Sequence, residues 1–168
     1  MAAVAVLMAR IRSAVTAKVF AAADTVALRM EAKAVQAAPK SLGQLAARIH
    51  GRAIQEGSLI RARLECDSPY GRYVEEGTGP AVGHQRYMPP PGALRLWVQR
   101  TLRPPAVKGD EARVIEAVER AVRWAIYLRG TRPQPFMGPA AEAGRAIWRR
   151  ELVAGVKAGV REASRGAR

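Results

Sequence analysis

Residues 4–36 place Val4, Leu7, Met8, Ile11, Val15, Val19, Val26 and Met30 at spacings built from three and four, with Ala at most positions between them. Only an α-helix sets residues three and four apart on one face. Ala has the highest intrinsic helix propensity, so the stretch predicts one helix of about nine turns at 3.6 residues per turn. An amphipathic rod of that length must lay its apolar face on other elements. It is predicted to stop at Ala38-Pro39, because a proline pushes the residue before it out of the helical region. Ser41-Leu42-Gly43-Gln44 then has capping-box spacing for a short helical turn carrying Leu45 and Ile49.

The period changes to two over residues 58–66, where Ile60, Ala62, Leu64 and Cys66 alternate with Arg61, Arg63 and Glu65. That alternation predicts a half-buried strand of an antiparallel sheet. Residues 53–56 are its expected hairpin partner across Gly57, and residues 70–76 a third strand after the Ser68-Pro69 break. A Gly- and Pro-rich tract at 77–92 predicts a long loop, expected to be mobile until a neighbour orders it because it has little apolar content to dock. Helical spacing returns in Leu94, Trp97, Val98 and Thr101, closed by Arg103-Pro104-Pro105. It returns again from Asp110, a good N-cap, through Val114, Val118, Val122, Ala125 and Ile126 to Gly130. Residues 131–139 are predicted to be extended around Phe136. A final helix from Ala140 carries the stripe Trp148, Leu152, Val156 and Val160 and fades into a polar tail at 164–168.

The 168 residues suit one domain, 1–168, able to bury a core without staples. A single cysteine, Cys66, excludes an internal disulfide framework and a multi-cysteine zinc site, and makes a reducing compartment the default. The first residues lack the leading positive charge of a signal peptide, and no run of about 18 uncharged apolar residues exists to span a membrane. The expectation is a soluble protein of the cytoplasm with no membrane partner. Lys and Arg number 28 against 14 Asp and Glu, a net charge of +14. Such an excess favours polyanions by counterion release, and its densest portion holds Arg145, Arg149, Arg150, Arg161, Arg165 and Arg168. No basic run is interleaved with stacking aromatics as single-strand binders require. The charge therefore reads first as a solvated helical face, and second as sequence-independent contact with DNA.

Catalytic, cofactor and metal constellations are not found. Cys66 with His50 or His84 would make a thiolate–imidazole pair, but Cys66 falls on the apolar face of its strand. Glu75 and Glu76 are adjacent, and on a strand they would point to opposite faces, one structural and one exposed. Gly77-Thr78-Gly79-Pro80 lacks the amide donors and the following Gly-Lys-Ser/Thr of a phosphate loop. Trp97, Trp124 and Trp148 lie among apolar neighbours on predicted helices and read as packing residues. The chain is expected not to be an enzyme and to need no cofactor.

Three separated segments resemble the minor tail or neck proteins of tailed bacteriophages, a family of tail-completion and head-tail joining proteins. Ala38-Pro39-Lys40-Ser41-Leu42-Gly43-Gln44-Leu45 is similar to that family's Pro, Thr-Gly, Leu sequence after a long first helix. Tyr70-Gly71-Arg72-Tyr73-Val74-Glu75-Glu76-Gly77-Thr78 resembles its Tyr-Ala-x-Tyr-Val-Glu-x-Gly-Thr signature. Gly130-Thr131-Arg132-Pro133-Gln134-Pro135-Phe136-Met137-Gly138-Pro139-Ala140 resembles its Gly, Pro-Phe-Leu, Pro-Ala approach to a final helix. Gly71 stands where the family has Ala, Leu42 where it has Thr, and residues 77–105 are individual.

The resemblance implies an α+β fold: a long N-terminal helix, a small antiparallel sheet, and C-terminal helices packed on the sheet. It implies a structural virion protein forming a homo-oligomeric, hexameric ring between the head connector and the tail tube. Neck, connector and major tail-tube proteins would be its partners, with non-specific contact to the genome at Arg-rich surfaces. The same likeness places the chain in the virion at the head–tail junction after assembly in the host cytoplasm. Pro39, Gly43, Leu45, Tyr70, Tyr73, Glu75, Gly77, Thr78, Pro135, Phe136, Pro139 and Ala140 are its assembly-motif residues. The alternative is a sequence-independent nucleic-acid-binding protein.

Overall fold

The structure, a computed structural model, describes residues 2–40, 44–105 and 110–165. Helix α1 spans Ala2–Ala37, and strands β1 (Ile49–Glu56) and β2 (Leu59–Cys66) form a hairpin. The short helix α2 (Gly71–Glu76) follows, then α3 (Arg95–Trp97), which runs into a π-turn at Val98–Leu102. Two long helices close the chain, α4 (Glu111–Arg129) and α5 (Met137–Arg165). The fold is α+β, and among the described residues the sheet has two strands. Within these residues two compact units are distinguished. One is built from α1, β1, β2 and α5; the other from residues 37–48 and 67–136.

In the first unit, α1 follows its predicted span almost residue for residue. The hairpin is antiparallel in unbroken register from Ile49↔Cys66 to Glu56↔Leu59. β1 therefore begins four residues earlier than the alternation at 53–56 suggested, because Gly51 and His50 obscure the period. Gly51 is required here: a Cβ on it would collide with the Ala27 carbonyl of α1. Val26, Ala27 and Met30 form the buried centre, with Ala62, Leu64, Ile147 and Trp148 packed against them.

Helix α5 begins at Met137, not Ala140. Pro139 fits inside its first turn, where a proline's missing N–H has no helical acceptor to lose. Its buried residues are Ala140, Gly144, Gly155, Gly159 and Ala163, whereas Val156 and Val160 of the predicted stripe are exposed. The contact with α1 selects for smallness. A Cβ on Gly155 would lie 2.9 Å from the Lys18 carbonyl oxygen, and one on Gly159 would lie 2.5 Å from the Val15 Cα. The helices thus run antiparallel at backbone contact, and larger apolar residues are displaced to the flanks of the seam. Lys18–Glu162 at 2.7 Å and Arg29–Glu151 at 3.0 Å bridge it, adding little each because they are solvent-exposed. Gly159→Leu is expected to cost about 1–3 kcal/mol by overpacking, read as a lowered urea midpoint. An unchanged midpoint would show that the seam does not close this tightly.

Residues 70–76, predicted as a third strand, are instead helix α2. Tyr70, Tyr73 and Val74 stand at i, i+3 and i+4, which is helical spacing, and Arg72 and Glu76 pair at i, i+4 across 2.9 Å. In α4, Asp110 occupies the N-cap position without a side-chain capping bond. Its carboxylate pairs with Arg113 at 3.4 Å instead. The buried residue of α4 is one the apolar pattern omits: Glu119, whose Oε1 accepts the Leu94 N–H at 3.3 Å. Ala125, assigned to the apolar stripe, is exposed.

A buckle beside an apolar cleft

The second unit joins two of the motif segments directly. Thr78 and Thr131 form an isolated antiparallel bridge, each N–H donating to the other's carbonyl at 3.1 Å. Their hydroxyls lie 3.0 Å apart, and the Thr131 N–H also reaches the Thr78 Oγ1 at 3.0 Å. Further along the same pair of segments, Gln134 N–H donates to the Val74 carbonyl at 2.8 Å, and Phe136 N–H to the Glu75 Oε2 at 2.6 Å. These three paired points of attachment make a buckle. A hydrogen bond to a charged acceptor is about twice as strong as a neutral one, so the Glu75 contact is its firmest point.

Three glycines make the close approach possible. Gly77, Gly79 and Gly130 all have positive φ, at 74°, 87° and 77°. A Cβ on Gly77 would meet the Thr131 carbonyl oxygen at 2.6 Å, and one on Gly79 would meet the Gly130 Cα at 2.7 Å. Gly77, Gly79 and Gly130 are thus the contact surface of the buckle. Phe136 is fully buried, while Pro135 beside it is exposed in the extended approach to α5.

Beside the buckle lies a cleft of about 510 Å³, walled by Pro39, Leu45, Tyr70, Tyr73, Tyr87 and Trp97. Thr78, Thr131 and Gln134 supply its polar edge. Tyr73 and Tyr87 stack with centroids 4.2 Å apart and rings inclined by 18°. Burial, with the neighbouring Tyr73 adding to it, pushes the Tyr87 phenol above its usual value. Residues 77–92, expected to have little to dock, do make contacts within their own unit. The tract is held by Tyr87, by a turn at Pro80–Val82, and by the buried Pro89, whose carbonyl accepts the Arg123 Nε–H at 2.6 Å.

Of the remaining motif residues, Gly43 lies outside the described residues, as do Ser41 and Leu42. Pro139 and Ala140 sit in the first turn of α5, in the other unit. Glu75 binds the Phe136 amide, while Glu76 turns to Arg72 at 2.9 Å and to His84 at 3.9 Å. The expected division into one structural and one exposed carboxylate holds, through helical geometry and not strand alternation. Trp97 lines the cleft, Trp148 packs near Met30, and Trp124 is exposed with its ring edge-on to Tyr127 at 5.7 Å.

The basic residues of α5 are exposed, but they do not form one stripe. At about 100° per residue, Arg145 and Arg149 share one flank, whereas Arg150, Arg161 and Arg165 fall on another. Arg150 is engaged with Glu151 at 3.1 Å, and Arg168 lies outside the described residues. No cluster of three His, Cys, Asp or Glu placed to hold a metal occurs among the described residues. Likewise, no described helix is long and apolar enough to cross a membrane. The chain matches no protein-family model, no curated protein and no solved structure.

Proposed function

We propose that this chain is a structural subunit of a tailed-phage virion, assembling into a ring that joins the head connector to the tail tube, and that it performs no catalysis. The observation that carries this reading is the buckle. The two longest segments behind the neck-protein resemblance, Tyr70 to Thr78 and Gly130 to Phe136, dock on each other through Thr78–Thr131, Val74–Gln134 and Glu75–Phe136. Their distinctive residues are used to fix backbone shape, as a scaffold requires.

Exposed apolar side chains give a ring neighbour something to cover. Val4, Val6 and Met8 stand out at the start of α1, and Trp124 and Leu128 stand one turn apart on α4. Light scattering of the purified chain, alone and with purified tail-tube and connector proteins, tests the proposal. A ring-sized oligomer, or a stable complex with either protein, is expected; a monomer indifferent to both overturns it.

The net charge serves a channel or partner surface on this reading, not sequence readout. Duplex DNA is expected to bind weakly, without sequence preference, and to be released between about 50 and 200 mM salt. Removing residues 164–168 is expected to weaken that binding and leave the melting temperature unchanged, since Ser164 and Arg165 are exposed at the end of α5. Tight preference for one duplex at the higher salt would replace the structural reading with nucleic-acid binding.

A further inference from the structure

The two edges of the β1–β2 hairpin are treated differently. Gly51 N–H donates to the Glu31 Oε2 at 2.6 Å and Ala53 N–H to the Asp24 Oδ1 at 3.3 Å. Both donors are on β1, and both acceptors are on α1. An N–H that points away from the partner strand belongs to a non-hydrogen-bonded pair of an antiparallel ladder. In this register the pairs are Gly51↔Leu64 and Ala53↔Ala62. It follows that Ala62 and Leu64, with Ile60 two residues earlier, also turn their N–H and C=O groups outward, from the free side of β2. Among the described residues no hydrogen bond outside the ladder uses those groups. One edge is therefore occupied by carboxylates and the other is open, a row of unpaired main-chain groups on which another strand can pair.

The open edge faces a groove of about 500 Å³. Its β2 wall is the continuous run from Ile60 to Leu64, Val26 and Met30 lie beneath, and Ala141, Gly144 and Trp148 of α5 stand opposite. Ala141 keeps that wall low, while the room at Gly144 is taken by the Met30 side chain. Arg61, Arg63 and Arg145 also line the groove; Arg61 pairs with Glu56 at 2.7 Å and Arg63 with Glu65 at 2.8 Å on the exposed face of the hairpin, whereas Arg145 has no ion pair among the described residues.

We propose that this groove takes an extended segment of another protein as a third strand, antiparallel to β2, and that the segment alternates apolar and acidic residues. Main-chain bonds to Ile60, Ala62 and Leu64 would hold it. Its apolar side chains would share the helix-facing side with Ala62 and Leu64, and its acidic ones would lie beside Arg61 and Arg63. A second copy of this chain fits poorly. Pairing two β2 strands about Ala62 sets Arg61 against the second copy's Arg63, and pairing about Arg63 sets two Arg63 side chains face to face; pairing about Leu64 sets Arg63 against Glu65 but leaves the Ile60 groups beyond the end of the second copy's strand. Like charges directly opposite destabilise a sheet. The inference does not rest on the virion reading.

The test uses the full chain and a labelled octapeptide alternating Glu and Val, with fluorescence anisotropy as readout. The Glu-Val peptide is expected to bind at least tenfold tighter than its Lys-Val counterpart. N-methylation of the Val amides, which oppose Ala62 and point at β2, is expected to abolish binding, whereas N-methylation of the Glu amides is tolerated. This arm needs no change in the protein. Ala62→Pro removes one outward donor and keeps the ladder to β1; it is expected to weaken binding about tenfold with the circular dichroism spectrum intact. Equal binding of both N-methylated peptides, or no preference for Glu over Lys, overturns the proposal. So does a dimer in light scattering that Ala62→Pro dissolves, because the occupant is then a second copy.

Discussion

Phe136→Ala is expected to destabilise the protein by about 3–5 kcal/mol, the range for deleting a buried aromatic ring. Phe136 is fully buried and is the largest such side chain among the described residues. It is also held at its backbone, where the N–H donates to the Glu75 carboxylate at 2.6 Å. That bond prevents the chain from relaxing into the space left behind, and limited relaxation puts a site toward the costly end of such series. For a chain of this length each kcal/mol moves the melting temperature by about 2–4 °C, so a drop of roughly 6 °C or more should be seen. An unchanged melting temperature with failed assembly would move the ring of Phe136 from the core to an interface.

Gly130→Ala should be comparably severe, for a different reason. Gly130 has φ 77° and ψ −172°, a region almost closed to other residues and worth about 1–3 kcal/mol of strain. A Cβ there would also run into the Thr78 carbonyl. That carbonyl cannot retreat without giving up the Thr131 N–H it accepts. Strain and lost bridge bonds at about 1 kcal/mol each combine to roughly 3–5 kcal/mol. Gly57→Ala is the control: its φ of 60° is also positive, but nothing lies within 4 Å of the new methyl. It should cost only the ~1–2 kcal/mol of the left-handed backbone. If both substitutions melt alike, the buckle does not depend on contact at Gly130.

How far the sequence discloses these features depends on whether local pattern or distant contact selects the residues. Helix α1 and strand β2 are legible because their periods are carried by large apolar side chains. The face of α5 is not, because close contact with α1 selects Gly144 against the Met30 side chain and Gly155 and Gly159 against the α1 backbone, residues that a hydrophobic stripe passes over. Read as a small-residue repeat, Gly155, Gly159 and Ala163 at intervals of four would have shown it. The Ser68-Pro69 break misleads at residues 70–76, where the helical spacing of Tyr70, Tyr73 and Val74 was available. Glu75, Thr78 and Phe136 stand out as residues, yet their meeting spans 53 positions at Thr78–Thr131 and leaves no trace in any local window. The open edge of β2 is equally hidden, since it follows from which N–H groups Asp24 and Glu31 have taken.

The α1–α5 seam also sets the order in which the protein can form. Val15 lies near the start of the chain and its neighbour Gly159 near the end, so a ribosome adding roughly 5–20 residues per second separates their appearance by on the order of ten seconds. Throughout that interval the part of α1 that Gly155 and Gly159 cover, around Val15 and Lys18, stays open, although the hairpin can already pack at Val26 to Met30. The first unit therefore closes last, after the buckle of the second has had time to fasten. A nascent chain stalled before Met137 would present the longest helix of the protein to whatever binds unfolded chains in the cell.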